Sequence, residues 1–277
     1  MNRLIDEKMK YAIIAGSGSL PLAIASKLKE IGKPPLVLML REQDSELDPV
    51  AAEMFPMNEI DLEKILDLLK DRQITDLIFA GKVPKELIFS PRKLDPRTLA
   101  LLASLESRDD HSILAAIVRE FEKAGFSVRT YLDIIPGLLA SDGVMTSRSP
   151  DVRENEDIEY ALDIMKAILP LSFGQSLVVS GRCVVAVEAM EGTDRTVLRA
   201  GELCNGGVLV KMMRSDQDPR YDIPTVGLDT LESMHQAGLT CLAVEVGRTL
   251  ILERESFLSR ADKYGIAVVG VDNCPSL

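Results

Sequence analysis

The chain has no tryptophan and only 4% aromatic residues, so few rings are available on which successive bases could stack. A net charge of −11 also opposes a polyanion, and nucleic acid is excluded as a partner. Two histidines are too few for an imidazole-rich transition-metal site, which leaves hard, oxygen-ligated cations as the metal class to consider. The four cysteines, Cys183, Cys204, Cys241 and Cys274, lie far apart in sequence. Cys183 and Cys241 fall inside apolar strand-like runs, so the expectation is reduced, mostly buried thiols rather than a disulfide or zinc framework. No run of ~18 apolar residues occurs, and the N-terminus M-N-R-L-I-D-E-K-M-K is charged throughout. Neither a spanning helix nor a signal peptide is read, and a cytoplasmic location is expected.

What the chain does contain is alternating strand and helix signals over 277 residues, a length near the point where one core divides into two, with 46% hydrophobic residues to fill both. Strand-like Tyr11–Ala15, a helical pattern over Leu20–Ile31, strand-like Leu36–Leu40, a helix over Asp61–Asp71 and a strand at Asp76–Ala80 run in β-α-β order. That order implies a parallel sheet with crossover helices. Two more helices, Arg97–Leu105 and His111–Lys123, precede a strand-like Phe126–Tyr131. Turn-rich sequence from Pro136 to Pro150 then suggests a domain boundary near Ile135. The second half opens with a helix over Glu156–Leu169. Strand-like runs follow at Ser176–Val179, Arg182–Ala189, Gly207–Met212, Thr240–Val244, Thr249–Leu252 and Ile266–Val271, with helices over Thr230–Ala237 and Ser256–Tyr264. The expected fold class is α/β. It comprises a Rossmann-like parallel-sheet domain at 1–135, binding nucleotide or phosphate, and a second α/β domain with a mixed sheet at 136–277.

The candidate chemistry gathers at predicted strand ends. V-E-A-M-E-G-T-D places Glu188, Glu191 and Asp194 at three-residue spacing after an apolar run, and K-M-M-R and R-Y-D-I-P add Lys211, Arg214, Arg220 and Asp222. Carboxylates suit Mg²⁺, which keeps several positions for water and substrate oxygens, while nearby Lys or Arg neutralises phosphate. A solvated acidic turn is the alternative for the E-x-x-E-G-x-D string. In open α/β sheets ligands sit at the carboxyl ends of strands, where Glu188, Lys211 and Glu245 fall. The loop G-S-G-S-L-P, residues Gly16, Ser17, Gly18 and Ser19 with Leu20 and Pro21, follows a strand and opens a helix, so its amides could face a phosphate. It is an incomplete dinucleotide fingerprint, with Pro21 at the third glycine position, and a tight turn is the other reading. Lys82 could reach a phosphate or stand in solvent, and Gln175 could bind a sugar or satisfy a turn.

Taken in order, A-G-S-G-S-L-P, A-G-K-V-P, D-D-H-S-I-L, V-E-A-M-E-G-T-D, G-V-L-V-K-M-M-R, R-Y-D-I-P-T-V-G and A-G-L-T-C-L-A-V-E-V-G-R resemble the LpxI family of UDP-2,3-diacylglucosamine pyrophosphatases over nearly the whole chain. The resemblance implies hydrolysis of a nucleotide-sugar pyrophosphate to UMP and 2,3-diacylglucosamine 1-phosphate, in lipid A biosynthesis, with Mg²⁺ or Mn²⁺. It implies catalytic roles for Asp222, Lys211 and Glu188, and metal ligation by Glu188, Glu191, Asp194 and Asp222. Substrate contacts would come from Gly16, Ser17, Gly18, Ser19, Lys82, Gln175, Gly192, Thr193, Arg220 and Thr225. A diacyl substrate further implies transient contact with the inner-membrane surface, and a homodimer stays open as an assembly state. Two other classes remain: an NAD(P)-dependent oxidoreductase, which would account for the glycines but not the acids, and a non-catalytic nucleotide-sugar or lipid-binding protein.

Overall fold

The computed structural model describes residues 9–40, 45–57, 61–81, 94–105, 110–171, 174–214 and 217–272. The chain divides into two compact units, one of Met1–Pro136 with Asp218–Asp222, the other of Gly137–Gln217 with Ile223–Leu277.

The first unit is built on a five-stranded sheet in the order β3-β2-β1-β4-β5. Its strands are β1 (Tyr11–Ala15), β2 (Leu36–Met39), β3 (Glu53–Pro56), β4 (Asp76–Ala80) and β5 (Ser127–Val128), and every neighbouring pair is parallel. The strand predicted over Phe126–Tyr131 shortens to two residues, because pairing with β4 stops after Leu77↔Val128. Ala12, Ile14, Leu36, Leu38, Leu77 and Phe79 share one core with α2 (Leu62–Asp71) and α4 (Asp110–Lys123). The alternating residues Ile13, Val37 and Ile78 are buried too, so both faces of the sheet are covered, as parallel sheets require. Helix α3 (Pro96–Ala103) lies between α2 and α4 in sequence and is capped by Asp95, whose carboxylate accepts the Arg97 and Thr98 amides and also that of Leu62 at the start of α2.

The chain builds outward from β1 to β2 and β3, then returns to place β4 on the other side of β1, so strand order reverses between β1 and β4. Such a reversal opens a crevice beyond the carboxyl ends of the two strands. Gly16, Ser17, Gly18 and Ser19 lie there, between β1 and α1 (Leu20–Glu30). Gly81, directly after β4, has φ +87, and a Cβ on it would meet the Ser17 carbonyl oxygen at 2.7 Å and the Gly16 carbonyl carbon at 2.9 Å. Backbone thus packs on backbone, which explains the glycine of A-G-K-V-P. Lys82 of the same motif lies outside the described residues.

The second unit carries a six-stranded mixed sheet, β6-β13-β11-β9-β7-β8, from β6 (Gly143–Val144), β7 (Ser176–Ser180), β8 (Cys183–Val187), β9 (Val208–Lys211), β11 (Cys241–Glu245) and β13 (Ala267–Val271). The β9-β11-β13 centre is parallel, β7 and β8 run antiparallel on one side and β6 antiparallel at the other edge. A two-stranded parallel pair joins β10 (Thr225–Val226) and β12 (Leu250–Ile251). Helix α5 (Val152–Ile168) covers one face through Ile158, Ala161 and Met165. Helices α6 (Thr193–Gly201), α7 (Leu228–Gln236) and α8 (Arg254–Tyr264) cover the other through Val197, Leu231 and Phe257. Cys241 is buried as expected, but Cys183 is exposed: it opens the edge strand β8 directly after the Gly181-Arg182 turn. Cys274 lies outside the described residues.

Candidate active site

The functional side chains of the second unit meet at the carboxyl edge of its sheet because of register. Antiparallel pairing sets Ser176, the first residue of β7, opposite Lys211, the last of β9, and sets Leu177 opposite Val187, the last of β8. The Glu188 amide continues that pairing by donating to the Ser176 carbonyl at 2.9 Å. Three strand termini therefore coincide. Gly174 makes this possible, since any Cβ there would clash with the Glu188 carbonyl oxygen. The chain then turns through Gly192, the N-cap of α6, and presents Thr193 as the first residue of that helix.

Thr193 is the hub of the cluster. Lys211 Nζ donates to its hydroxyl at 2.9 Å, the hydroxyl donates to Glu188 Oε1 at 3.1 Å, and Ser176 Oγ lies 3.2 Å away. One donor and two acceptor positions are all that a hydroxyl offers, so these three contacts occupy it fully. The Gln175 backbone N–H donates to Glu188 Oε2 at 3.3 Å. Lys211 is only 8% exposed, and an ammonium at the rim of a sheet beside a helix N-terminus is suited to neutralise phosphate charge without a hydration shell. Lys211, Glu188, Thr193, Gln175 and Gly192 are thus brought together at one edge of the sheet.

Glu191 and Asp194 follow other partners. Glu191 pairs with Arg199 at 2.7 Å and accepts from the Thr196 hydroxyl, and hydrogen bonds from its own amide and from Arg199 hold its carboxyl below the usual range. Asp194 accepts from the Thr230 hydroxyl at 3.2 Å. Among the described residues no group of three or more His, Cys, Asp or Glu side chains is placed to hold a metal ion. The described side chains alone therefore form no all-protein cage of the kind that holds a cation without substrate.

Glu245, at the end of β11, has both carboxylate oxygens engaged: Oε2 accepts the Met213 amide at 2.8 Å and Oε1 pairs with Arg248 at 3.1 Å. Arg248 also donates to the Arg214 carbonyl at 3.3 Å. This buried carboxylate closes the turn that follows Lys211, a structural task rather than an exposed base. Thr225 opens β10 and donates its hydroxyl to the Ile223 carbonyl at 3.0 Å.

Asp222 and Arg220 belong to the first unit. The Asp222 amide donates to the Asp218 carbonyl at 3.2 Å, closing a turn. The Arg220 guanidinium takes Asp218 through Nε and a terminal nitrogen, at 2.9 Å and 2.6 Å, and Glu122 through the other, at 2.5 Å. Its hydrogen-bonding fork is directed at carboxylates. Burial, and then the charge of Asp222, pushes the phenol of the buried Tyr131 well above its ordinary range. Gly16, Ser17, Gly18 and Ser19 stand at the crevice of the first sheet; Ser19 is the N-cap of α1 without a side-chain capping bond.

The first helix of the cluster, α6, is absent from the sequence reading. Its signal is present in T-D-R-T-V-L-R-A-G, where Val197 and Ala200 at three-residue spacing are fully buried behind the Gly192 cap. Ser176 is likewise missed: a lone serine at a strand start carries no local mark of its partner across β9.

Comparison with known proteins agrees along the chain. Residues 10–138 match the LpxI N-terminal domain family and residues 141–269 the LpxI C-terminal domain family. The UDP-2,3-diacylglucosamine pyrophosphatase LpxI of Caulobacter vibrioides is 33% identical over 278 aligned residues, spanning 95% of this chain and 98% of that protein.

Proposed function

This chain belongs to the LpxI family, and from that premise we infer that it is a hydrolase that cleaves the pyrophosphate bond of UDP-2,3-diacylglucosamine, giving UMP and 2,3-diacylglucosamine 1-phosphate in lipid A biosynthesis. The observation that carries the reading is the agreement of both halves, in order, with one relative over 95% of the chain. The local geometry supports it. Hydrolysis of a pyrophosphate requires that negative charge on the phosphates be offset before an oxygen nucleophile approaches and that the departing phosphate be stabilised. Lys211, held by Thr193 at the carboxyl edge of the second sheet, offers a fixed cation for that purpose. The backbone of Gly16, Ser17, Gly18 and Ser19, beyond β1 and ahead of α1, suits the nucleotide phosphate.

We assign water activation to Asp222. The ion we assign to it, Mg²⁺ or Mn²⁺, is one that takes part of its shell from the substrate, with Asp222 as its protein carboxylate. When bound, the ion supplies charge neutralisation on the phosphate oxygens. Glu191 and Asp194, tied to Arg199 and Thr230, hold the start of α6 instead. The diacyl substrate brings the protein transiently to the inner-membrane surface; no described helix is long and apolar enough to cross a membrane.

The test is incubation of the purified protein with UDP-2,3-diacylglucosamine and Mg²⁺, with both products measured. UMP and 2,3-diacylglucosamine 1-phosphate in equal amounts are expected. Thermal stabilisation by the substrate without UMP would make the protein a binding module, and an absorbance change at 340 nm dependent on NAD(P) would make it an oxidoreductase.

A further inference from the structure

The segment Asp218–Asp222 clusters with the first unit although the residues flanking it on both sides belong to the second. Specific contacts pin it there. The Thr130 hydroxyl, just beyond β5, donates to the Pro219 carbonyl at 2.8 Å. Glu122, in the last turn of α4, receives the Arg220 guanidinium at 2.5 Å. The Tyr221 ring packs against the core that contains Phe121 and Phe126, and burial followed by the Asp218 charge pushes its phenol up to about 12. Within the segment, Asp218 receives Arg220 through two nitrogens, and its carbonyl accepts the amides of Tyr221 and Asp222. Asp222 is therefore the end of a five-residue strap that is fixed to the first unit through Pro219, Arg220 and Tyr221.

We propose that Glu122 and Arg220 are positioning residues for the hydrolysis: their ion pair, with Thr130, holds the strap so that the Asp222 carboxylate is set where it acts on the attacking water. The proposal rests on the assignment of Asp222 given above. It reassigns Arg220, whose fork is filled by Asp218 and Glu122, from gripping phosphate to aiming a carboxylate. Glu122 is the informative partner. An anion cannot hold an anionic substrate, so any kinetic role it has must pass through Arg220. The pair is partly exposed, with side chains 32% and 41% accessible, so its contribution to global stability is small and a change in rate can be read separately from unfolding.

The experiment compares Glu122→Gln, Arg220→Gln, their double variant, Glu122→Asp and Asp222→Ala in the full chain. UMP release from UDP-2,3-diacylglucosamine and the melting temperature are measured for each. Small displacements of a reacting group cost one to two orders of magnitude in rate, so each single Gln variant is expected to lower kcat by about tenfold. KM and melting temperature should stay near wild type. The double variant should fall no further than either single, since the two residues act as one unit, and Glu122→Asp should recover much of the rate. Wild-type kcat in Glu122→Gln beside an inactive Asp222→Ala would overturn the positioning role and leave the assignment of Asp222 standing. A raised KM at unchanged kcat in Arg220→Gln alone would return Arg220 to phosphate binding and overturn it as well. Full activity in Asp222→Ala would remove the assignment of Asp222 and the proposal with it.

Discussion

Lys211 and Thr193 meet at 2.9 Å because two unrelated features converge: the last residue of a central strand and the first residue of a helix capped by glycine. The hydroxyl passes the interaction on to Glu188, so a cation, a neutral hydroxyl and a carboxylate form one chain of hydrogen bonds. Removing the middle member should therefore be felt at both ends.

Thr193→Val keeps the shape and loses the hydroxyl. Lys211 and Glu188 each lose a partner, at a cost of about 1–3 kcal/mol, and kcat should fall because the ammonium is no longer fixed. Thr193→Ser should restore both. Melting curves and initial rates on the three proteins check this, and a Val variant with wild-type stability and rate would deny Thr193 its central place.

Asp222→Ala is expected to fold and to bind UDP-2,3-diacylglucosamine while kcat drops by roughly 10²-fold or more. Isothermal titration with the substrate and a UMP assay separate binding from turnover. Near-wild-type kcat would transfer the chemistry to Glu188 and its neighbours.

Activity should vanish in EDTA and return with Mg²⁺ or Mn²⁺. Because Glu188, Glu191, Asp194 and Glu245 are tied to separate partners, the free protein should bind Mg²⁺ weakly. Affinity should rise at least about tenfold once the substrate's phosphates are present, as expected for an ion that takes most of its ligands from the substrate. Titration with and without UDP-2,3-diacylglucosamine measures the difference; full turnover in chelator would exclude the ion.

Burial raises the pKa of Glu154, but hydrogen bonds from Arg148 and Thr240 outweigh it and leave the carboxyl below its ordinary 4.5. A depressed folded value means that the contribution is fully present above about pH 4.5 and is lost as pH falls through the folded pKa. Arg148→Gln should remove about 2–3 kcal/mol at pH 7, less than a fully buried pair because the arginine is partly exposed, and should flatten the loss of stability on acidification. Denaturant unfolding of both proteins at pH 7 and pH 4 tests this.

Sheet strands were legible where burial on both faces demands unbroken apolar sequence, as in Tyr11–Ala15 and Cys241–Glu245. The half-buried edge strand Glu53–Pro56 was not, because E-M-F-P carries no such run. Lys211, Glu188 and Glu245 could be nominated because strand ends are where open α/β sheets place their chemistry, although Glu245 closes a turn instead. What local sequence could not reveal was partnership at a distance. Nothing in E-x-x-E-G-x-D says that Glu191 will turn to Arg199 on the far side of a helical turn, and nothing near Asp222 points to Glu122 or Thr130. The pairings of the Asp222 strap exist only after distant segments have met.

The strap also orders events during synthesis. The first unit owns residues from two separate stretches of the chain, so its sheet and helices can emerge and collapse early while the ledge that receives Tyr221 stands uncovered. Not until translation has passed Asp222 can that ledge be closed. A protein truncated anywhere between Pro136 and Asp218 would carry a nearly finished first unit with a hydrophobic seat left empty, a surface for a chaperone to recognise. Completion of the first unit and arrival of the acid assigned to catalysis are thereby the same event.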